Sequence, residues 1–398
     1  MANWADLPRD VVGLISDLSI LSDHMKMQCV CKTWQSFLKN SSSKRELPWL
    51  MLLPKDQEED PDARDFYSLS KQNILSIRLP EIRGKRCCGS FQNGWLMIVV
   101  EQLDICLFHP WSKKTLQLPH QSTFKKQHYV DDEGTFTMEE IRDMHIRKAA
   151  VSDDANMVLV VYGMGNLAFC RVGDKAWTEM HSGMEDVIFH KGQFYALTVV
   201  PAVYLVRIED GVNPSFSLQR INEDFRLIGG LFYLVPDTLT DDTMFVIFRE
   251  LDESDILDED AEYTDLEDDA EPPRSLHRTI HFDIYQAPLG EVAAAPKGNK
   301  LMKVESLGER IVFLGYNSPM VTTTREFPGI QGNLIYFADN CAESYFCSPY
   351  GCCDSGVFNV EDGTIQQFFA DRFHPASAPP VWIATPPPFS FQSDFGGK

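Results

Sequence analysis

Short runs of β-branched and aromatic residues, separated by clusters of Gly, Asn, Asp and Pro, recur over most of this chain of 398 residues. Examples are 95–100, 158–162, 194–200, 244–249 and 334–338. Helical periodicity is nearly absent from the same region. Many short strands joined by turns are typical of an all-β sandwich, barrel or propeller. This feature constrains the fold more than any other.

A strand-turn-strand unit returns within this region. The stretches HKGQFYALT, IGGLFYLVP and IQGNLIYFAD share a turn, a glycine and a strand that contains Tyr. A unit that returns over roughly 300 residues fits propeller blades of about 40–50 residues, which predicts about six blades. A sandwich does not easily absorb that length as one domain. The stretch 356–369 is predicted to form a hairpin that closes the β domain.

The first residues have a different pattern. Residues 6–39 are predicted to form three short helices, with Pro8 in the first turn, Ser22 capping the second and Trp34 in the third. Three short helices bury too little surface to be stable alone, so such a module normally docks on another protein. The apolar residues of the first helix follow an i, i+3, i+4, i+7 spacing and are Val11, Leu14, Ile15 and Leu18.

Charge and hydropathy exclude two classes of partner. The net charge is −22, and the segment 250–271 carries 13 acidic residues and no basic one. Binding to a nucleic-acid backbone needs clustered Lys and Arg, so no nucleic-acid partner is predicted. The longest apolar runs are far shorter than the roughly 20 residues of a membrane span, so no membrane partner is predicted either. The acidic segment is predicted to be a disordered insert, because its carboxylates repel one another and its few apolar residues cannot offset the entropy of ordering it. It also lacks the ligand spacing of a calcium loop.

Cysteines and histidines do not form a recognisable chemical site. In CVCKTW, one residue separates Cys29 from Cys31, whereas structural zinc sites use C-x₂₋₄-C pairs with two further ligands. A second cysteine-rich stretch, 341–353, fits no such spacing. No G-x-S-x-G, P-loop or H-E-x-x-H motif is present. We therefore predict no metal, no cofactor and no catalytic residue; an enzyme with channel-lining catalytic residues is an unsupported alternative.

The N-terminal motifs resemble a known family. LPRDVVGLISDL followed by SDHMKMQCVCKTWQSFL is similar to an F-box in order and spacing, including the pair Leu7-Pro8. Met27 and Gln35 depart from that pattern, at positions that tolerate variation. The resemblance implies binding to a Skp-type linker protein, and through it to a cullin scaffold. The linker-binding residues that it implies are Leu7, Pro8, Ile15, Leu18, Val30 and Trp34.

The rest of the chain resembles the kelch-like domain of plant F-box proteins, called domain of unknown function two-nine-five. GSFQNGWLMIV, GNLIYFAD and DSGVFNVEDGTIQQFF carry the likeness. The resemblance implies a non-catalytic substrate adaptor of an SCF-type cullin ubiquitin ligase, located in the cytoplasm, the nucleus or both, with an unknown protein target. The alternative is a non-catalytic β-propeller scaffold or ligand-binding protein with a degenerate F-box.

The predicted fold class is a small all-α F-box module followed by a large all-β domain, a β-propeller of about six blades. The predicted boundaries are 1–45 for the helical module, 46–75 for a linker, 76–385 for the propeller with its acidic insert at 250–271, and 386–398 for a flexible tail.

Overall fold

The chain forms two compact units, which are described separately: Met1–Leu47 with Thr385–Lys398 is unit 1, and Pro48–Ala384 is unit 2. No helix in the described part of the chain is long and apolar enough to cross a membrane. A computed structural model describes residues 7–18, 27, 30–34, 46–52, 60–100, 102–126, 130–131, 134–135, 142, 145–209, 215–222, 225, 227, 229–240, 242–252, 278–289, 300–340, 354–368 and 380–385.

Unit 1 contains the helix α1 (Arg9–Leu18) and parts of two further helical turns around Met27 and Trp34. The predicted start of the second helix at Ser22 lies outside the described residues. So does the end of the third helix, predicted at Leu38.

The described residues of unit 2 form six sheets of four or five strands, five of them made of neighbouring segments of the chain. This confirms the six-bladed β-propeller. The first strands are β1 (Trp49–Met51), β2 (Ala63–Ser68) and β3 (Asn73–Arg78). The next sheet contains β4 (Arg86–Ser90), β5 (Leu96–Val99), β6 (Ile105–His109) and β7 (Lys114–Gln117). A separate hairpin follows, formed by β8 (Val130–Asp131) and β9 (Gly134–Thr135). Two short 3₁₀ helices are Pro80–Ile82 and Gln121–Thr123.

The remaining strands complete four more sheets. One contains β10 (Ile146–Val151), β11 (Met157–Tyr162), β12 (Asn166–Arg171) and β13 (Thr178–His181). The next contains β14 (Met184–His190), β15 (Gln193–Thr198), β16 (Val203–Glu209) and β17 (Ser215–Arg220). The third contains β18 (Leu231–Pro236), β19 (Thr243–Asp252), β20 (Arg278–Pro288) and β21 (Met302–Val304). The last contains β22 (Arg310–Leu314), β23 (Met320–Thr323), β24 (Leu334–Phe337), β25 (Gly356–Asn359) and β26 (Ile365–Gln367). The final strand is β27 (Val381–Ile383).

The ring closes through the two ends of unit 2. Strand β27 pairs with β1, so the sheet β27-β1-β2-β3 combines the last strand of the chain with the first three. We number this sheet blade 1, and the sheets that begin with β4, β10, β14, β18 and β22 blades 2 to 6. Strand β27 also contacts β4 of blade 2, which places it at the inner edge of blade 1. A closed ring of this kind leaves no inner strand edge exposed.

Two expectations about the ends of the propeller need correction. The interval 46–75, predicted as a linker, contains β1, β2 and the start of β3. The hairpin predicted within 356–369 exists as β25 and β26, but it is the outer edge of blade 6 and does not close the ring. Strands β1 and β27 have only three residues each, which is too short to show a hydrophobic period. Because they are also far apart in the sequence, no local pattern predicts that they pair.

Neighbouring blades pack through continuous apolar layers. Blades 2 and 3 share a cluster around Phe124, Tyr162 and Trp177, whose rings stack at centroid distances of 4.2 and 4.8 Å from Phe124. Blades 5 and 6 share a cluster that contains Phe282, Phe337 and other buried side chains. The inner and middle strands of the blades are therefore buried on both faces, which explains why strands such as β5 and β11 are nearly uninterrupted apolar runs, whereas outer strands such as β3 and β17 are exposed.

The connection between β22 and β23 crosses the centre of the ring. Ser318 N donates to Ser90 O of blade 2 at 2.9 Å, and Lys148 Nζ of blade 3 donates to Gly315 O at 2.5 Å. The Arg86 guanidinium of blade 2 lies 5.3 Å from the centre of the Tyr316 ring. Blade 6 neighbours only blades 5 and 1 in the ring, yet the segment 315–319 contacts blades 2 and 3. This segment therefore lies in the middle of the ring. We call this segment the central plug.

Candidate functional site

Helix α1 has a buried side and an exposed apolar side. It begins directly after Pro8, whose carbonyl accepts hydrogen bonds from Val11 N at 3.0 Å and Val12 N at 3.1 Å. Val12 is 2% exposed, whereas Val11 is 37% and Leu14 is 63% exposed. The predicted stripe therefore splits, because two of its members face solvent while the buried side centres on Val12. Val11 and Leu14 therefore form an exposed apolar side of this helix.

Trp34 belongs to the core of unit 1. It is buried together with Val12 and Met27, and Leu7, Ile15 and Cys31 pack against this cluster. The backbone N–H of Trp34 donates to the sulfur of Cys31 at 3.4 Å, which satisfies one of the donors that a helix start leaves unpaired. Within CVCKTW, Cys31 is therefore a helix cap in a small apolar core, and Cys29 lies outside the described residues.

The structure separates the six predicted linker-binding residues into three groups. Leu7, Ile15 and Trp34 pack in or against the core of unit 1, and Pro8 and Val30 are exposed, Val30 by 51%. The side chain of Leu18 lies outside the described residues. Val11 and Leu14, which are not in the predicted set, are also exposed and apolar. They have the same helical spacing as Ile15, and this spacing is a signal by which the sequence could have included them.

Unit 2 carries a buried polar centre beside the central plug. Lys148 Nζ lies 4.0 Å from Asp186 Oδ1 and 4.6 Å from the centre of the Tyr233 ring. Asp186 Oδ1 accepts from Val187 N and Oδ2 accepts from Leu234 N, at 2.8 and 2.9 Å. Burial lowers the pKa of Lys148, which the Asp186 carboxylate opposes, and burial raises the pKa of Asp186. These groups join blades 3, 4 and 5 and have no solvent-facing side for a substrate, so their role is structural.

A second buried network joins blades 5 and 6. Arg249 is 1% exposed, and its Nη2 lies 2.8 Å from Asp354 Oδ2. Its Nε donates to Thr279 Oγ1 at 2.7 Å, and its Nη1 donates to Tyr233 O–H at 3.2 Å and to Asn340 Oδ1 at 3.0 Å. The nearby negative and phenolic groups raise the pKa of Arg249 despite its burial. The guanidinium therefore stays charged and cross-links two blades.

Cysteine and histidine chemistry is not assembled in the described part of the chain. No group of three or more His, Cys, Asp or Glu side chains comes together there as a metal site. Burial raises the pKa of Cys87 to about 11 and that of Cys88 to about 12, so both remain protonated thiols at neutral pH. Burial lowers the pKa of His145 to about 4, which keeps this ring neutral. The cysteines within 341–353 lie outside the described residues.

The acidic segment is inserted in blade 5. Strand β19 ends at Asp252 and β20 begins at Arg278, and these two residues are paired in register. The predicted start of the insert at residue 250 is therefore wrong, because residues 250–252 pair within the blade. Residues 253–277 lie outside the described residues, so the prediction of a disordered insert remains a prediction. The predicted flexible tail, 386–398, also lies outside them.

Comparison with known proteins identifies the family of this fold. The family model described as KIB1-4 beta-propeller matches residues 66–359, which is well over half of the chain. The chain belongs to the KIB1-4 beta-propeller family. The family match begins within β2 and ends at the last residue of β25, so it covers most of the ring and leaves out the strands that close it.

The similarity to F-box proteins extends over nearly the whole chain of this KIB1-4 propeller. F-box protein SKIP23 of Arabidopsis thaliana is 25% identical, with 97% of this chain and 96% of that protein covered. Putative F-box protein At1g65770 of the same plant is 26% identical, with 85% and 90% covered. The shared length includes unit 1 for the first relative, so the chain is similar to plant F-box proteins from end to end.

Proposed function

We propose that this protein is a substrate adaptor of an SCF-type cullin ubiquitin ligase. Unit 1 binds a Skp-type linker protein, which connects it to the cullin scaffold, and the propeller binds the target. The linker-binding set is Leu7, Pro8, Ile15, Leu18, Val30 and Trp34, together with the exposed Val11 and Leu14. The similarity to plant F-box proteins supports the assignment, and the cytoplasm or nucleus is the corresponding location.

The observation that carries the proposal is the exposed apolar surface of unit 1. Among the described residues of unit 1, Val12, Met27 and Trp34 are the buried core, and Leu14 and Val30 lie outside it. Leu14 and Val30 are both more than half exposed, and covering such apolar side chains with a partner makes the free energy of binding more favourable. The buried Trp34 contributes to linker binding by stabilising the core that supports this surface.

The proposed role requires no chemistry from this chain. An adaptor accelerates ubiquitin transfer by holding a target beside the transferring enzyme, which replaces chance encounter with a high effective concentration. The central plug occupies the middle of the ring with backbone and buried side chains; Lys148 donates to it, and Arg249 is fully engaged in the network between blades 5 and 6. This arrangement favours a binding role for the propeller over an active site in its channel.

Replacing Leu14 and Val30 by glutamate is expected to weaken linker binding by about a hundredfold, because two apolar contacts would be exchanged for buried charges. Binding of the purified full-length chain to the linker protein is measured by calorimetry. The matched control is Met164→Glu with Val200→Glu, since these apolar side chains of unit 2 are 82% and 52% exposed and the two substitutions change the net charge equally. A folded double variant that binds the linker as tightly as the control would contradict the interface.

A further inference from the structure

An open groove lies between blades 3 and 4. Its volume is about 610 Å³. The turn between β10 and β11, the turn between β14 and β15, and the end of β16 form its walls. A volume of this size falls in the range of small-molecule and peptide sites, roughly 300–1,000 Å³. The proposed linker-binding residues lie in unit 1 and have no part in it.

The floor of the groove is apolar. Met157, Phe189 and Ile208 are half-buried, and Phe194 is 6% exposed. All four belong to the apolar layer that joins blades 3 and 4, and the rings of Phe189 and Phe194 meet edge to face at 4.7 Å. The groove is therefore an opening onto a rigid, packed layer, and its floor is in place before any ligand arrives.

The rim of the groove is acidic. It carries the carboxylates of Asp153, Asp154 and Glu209 and one cation, Arg207. Asp154 Oδ1 is occupied by Ser152 Oγ at 2.6 Å and Asn156 N at 3.1 Å, which fixes the turn. Asp153 is exposed and makes no hydrogen bond or ion pair with any residue that the structure describes. Its carboxylate is available to a ligand.

A smaller cavity continues the groove towards the centre of the ring. It is about 40 Å³ in volume and shares Asp153 and Phe189 with the groove. Its other walls include Ile188, Pro236 and Pro319 of the central plug. Asp153 and Phe189 line both spaces, so the groove and the cavity adjoin along these two residues, and we call them together the track. Two adjoining spaces in a row suit an extended chain better than a compact ligand.

We propose that this track binds a basic peptide segment of the target protein. An apolar side chain of the segment contacts Phe189 and Phe194, while its Lys or Arg side chains pair with Asp153 and Glu209. Opposite charge selects the partner, since the rim carries more negative than positive groups and the whole chain has a net charge of −22. This inference rests on the proposed role of the propeller as the target-binding part.

The test measures binding of a short fluorescent peptide of alternating arginine and leucine to the full-length chain by anisotropy. Two analogues, with serine in place of leucine and with glutamate in place of arginine, test the apolar and the charged contacts separately. We expect the arginine–leucine peptide to bind at least about tenfold more tightly than either analogue. Equal binding of the serine analogue would overturn the proposal, because the apolar floor would then play no part.

A pair of charge-reversal variants locates the site. Asp153→Lys with Glu209→Lys is expected to weaken peptide binding by about tenfold or more. The control, Glu305→Lys with Glu361→Lys, changes the net charge equally at exposed positions outside the groove. Equal losses in both variants would show general attraction to an acidic protein and overturn the site. Melting temperatures of both variants establish that each is folded.

Linker binding, measured on the same samples, separates this inference from the proposed function. Loss of peptide binding in Asp153→Lys with Glu209→Lys, with normal linker binding, supports the track. Absence of linker binding by the wild-type chain would contradict the adaptor role. Peptide binding to the track would still be decided by comparing the arginine–leucine peptide with its serine and glutamate analogues.

Discussion

Truncation after Pro380 is expected to abolish cooperative unfolding of the propeller, because it removes β27 and opens the ring. Strand β1 would lose its inner partner, and blades 1, 2 and 6 would each lose contacts with the deleted strand. An exposed inner edge of this kind pairs readily with other chains. The measurement is calorimetric melting with light scattering. A truncation after Thr385, which keeps β27, is the control, and similar cooperative melting of both truncations would refute closure by this strand.

Replacing a single residue of β27 should also destabilise the propeller. Trp382 is fully buried and contacts the rings of Phe313 and Tyr336 in blade 6, at 5.3 and 6.1 Å. Its carbonyl accepts a hydrogen bond from Ser90 Oγ in blade 2. Trp382→Ala is expected to lower the free energy of unfolding by about 3–5 kcal/mol, and Trp382→Phe by clearly less, because it retains most of the ring contacts.

Replacement of Arg249 by methionine is expected to lower the free energy of unfolding by about 3–5 kcal/mol, because it leaves the buried Asp354 carboxylate without its cation. Arg249→Lys should restore little, since one ammonium group cannot replace three guanidinium nitrogens that donate in different directions. Chemical denaturation of the three proteins measures the effect.

The matched control for Arg249 is Arg78→Met, at a surface ion pair. The Arg78 side chain is 70% exposed, and its guanidinium lies 3.0 Å from Asp60 Oδ2. Exposed pairs of this kind contribute about 0–1 kcal/mol, so this variant should unfold almost as the wild type does. Equal losses for Arg249→Met and Arg78→Met would show that the buried network does not stabilise the propeller.

The architecture of the propeller could be predicted because its signals are local. Each unit of strand, turn and strand is formed by consecutive residues. In the hairpin of β25 and β26, for example, the turn is at 360–364 and Gly363 has a φ of 72°. A positive φ of this size suits glycine in a tight turn. Repetition of such units indicated a propeller, and the length of the repeating region, about 300 residues, divided by a blade of about 40–50 residues gave about six blades.

The closure and the buried networks could not be predicted because they join distant positions. Ser90 and Trp382 are 292 residues apart, and Arg249 and Asp354 are 105 residues apart. No spacing rule links such pairs. In unit 1, periodicity identified the apolar positions of α1 but not which of them are exposed. Leu14 was left out of the predicted linker-binding set and is exposed, whereas Trp34 was included in that set and is buried.

The pairing of β27 with β1 also sets an order in time. During synthesis, β1, β2 and β3 leave the ribosome before the strands of the other five blades, and β27 leaves after them. Blade 1 therefore waits, with the inner edge of β1 unpaired, until the other five blades have been made. Every chain that stops at a codon before β27 carries an unfinished ring, whatever the quality of its other five blades. Synthesis through β27 is itself a condition for the folded state of this propeller.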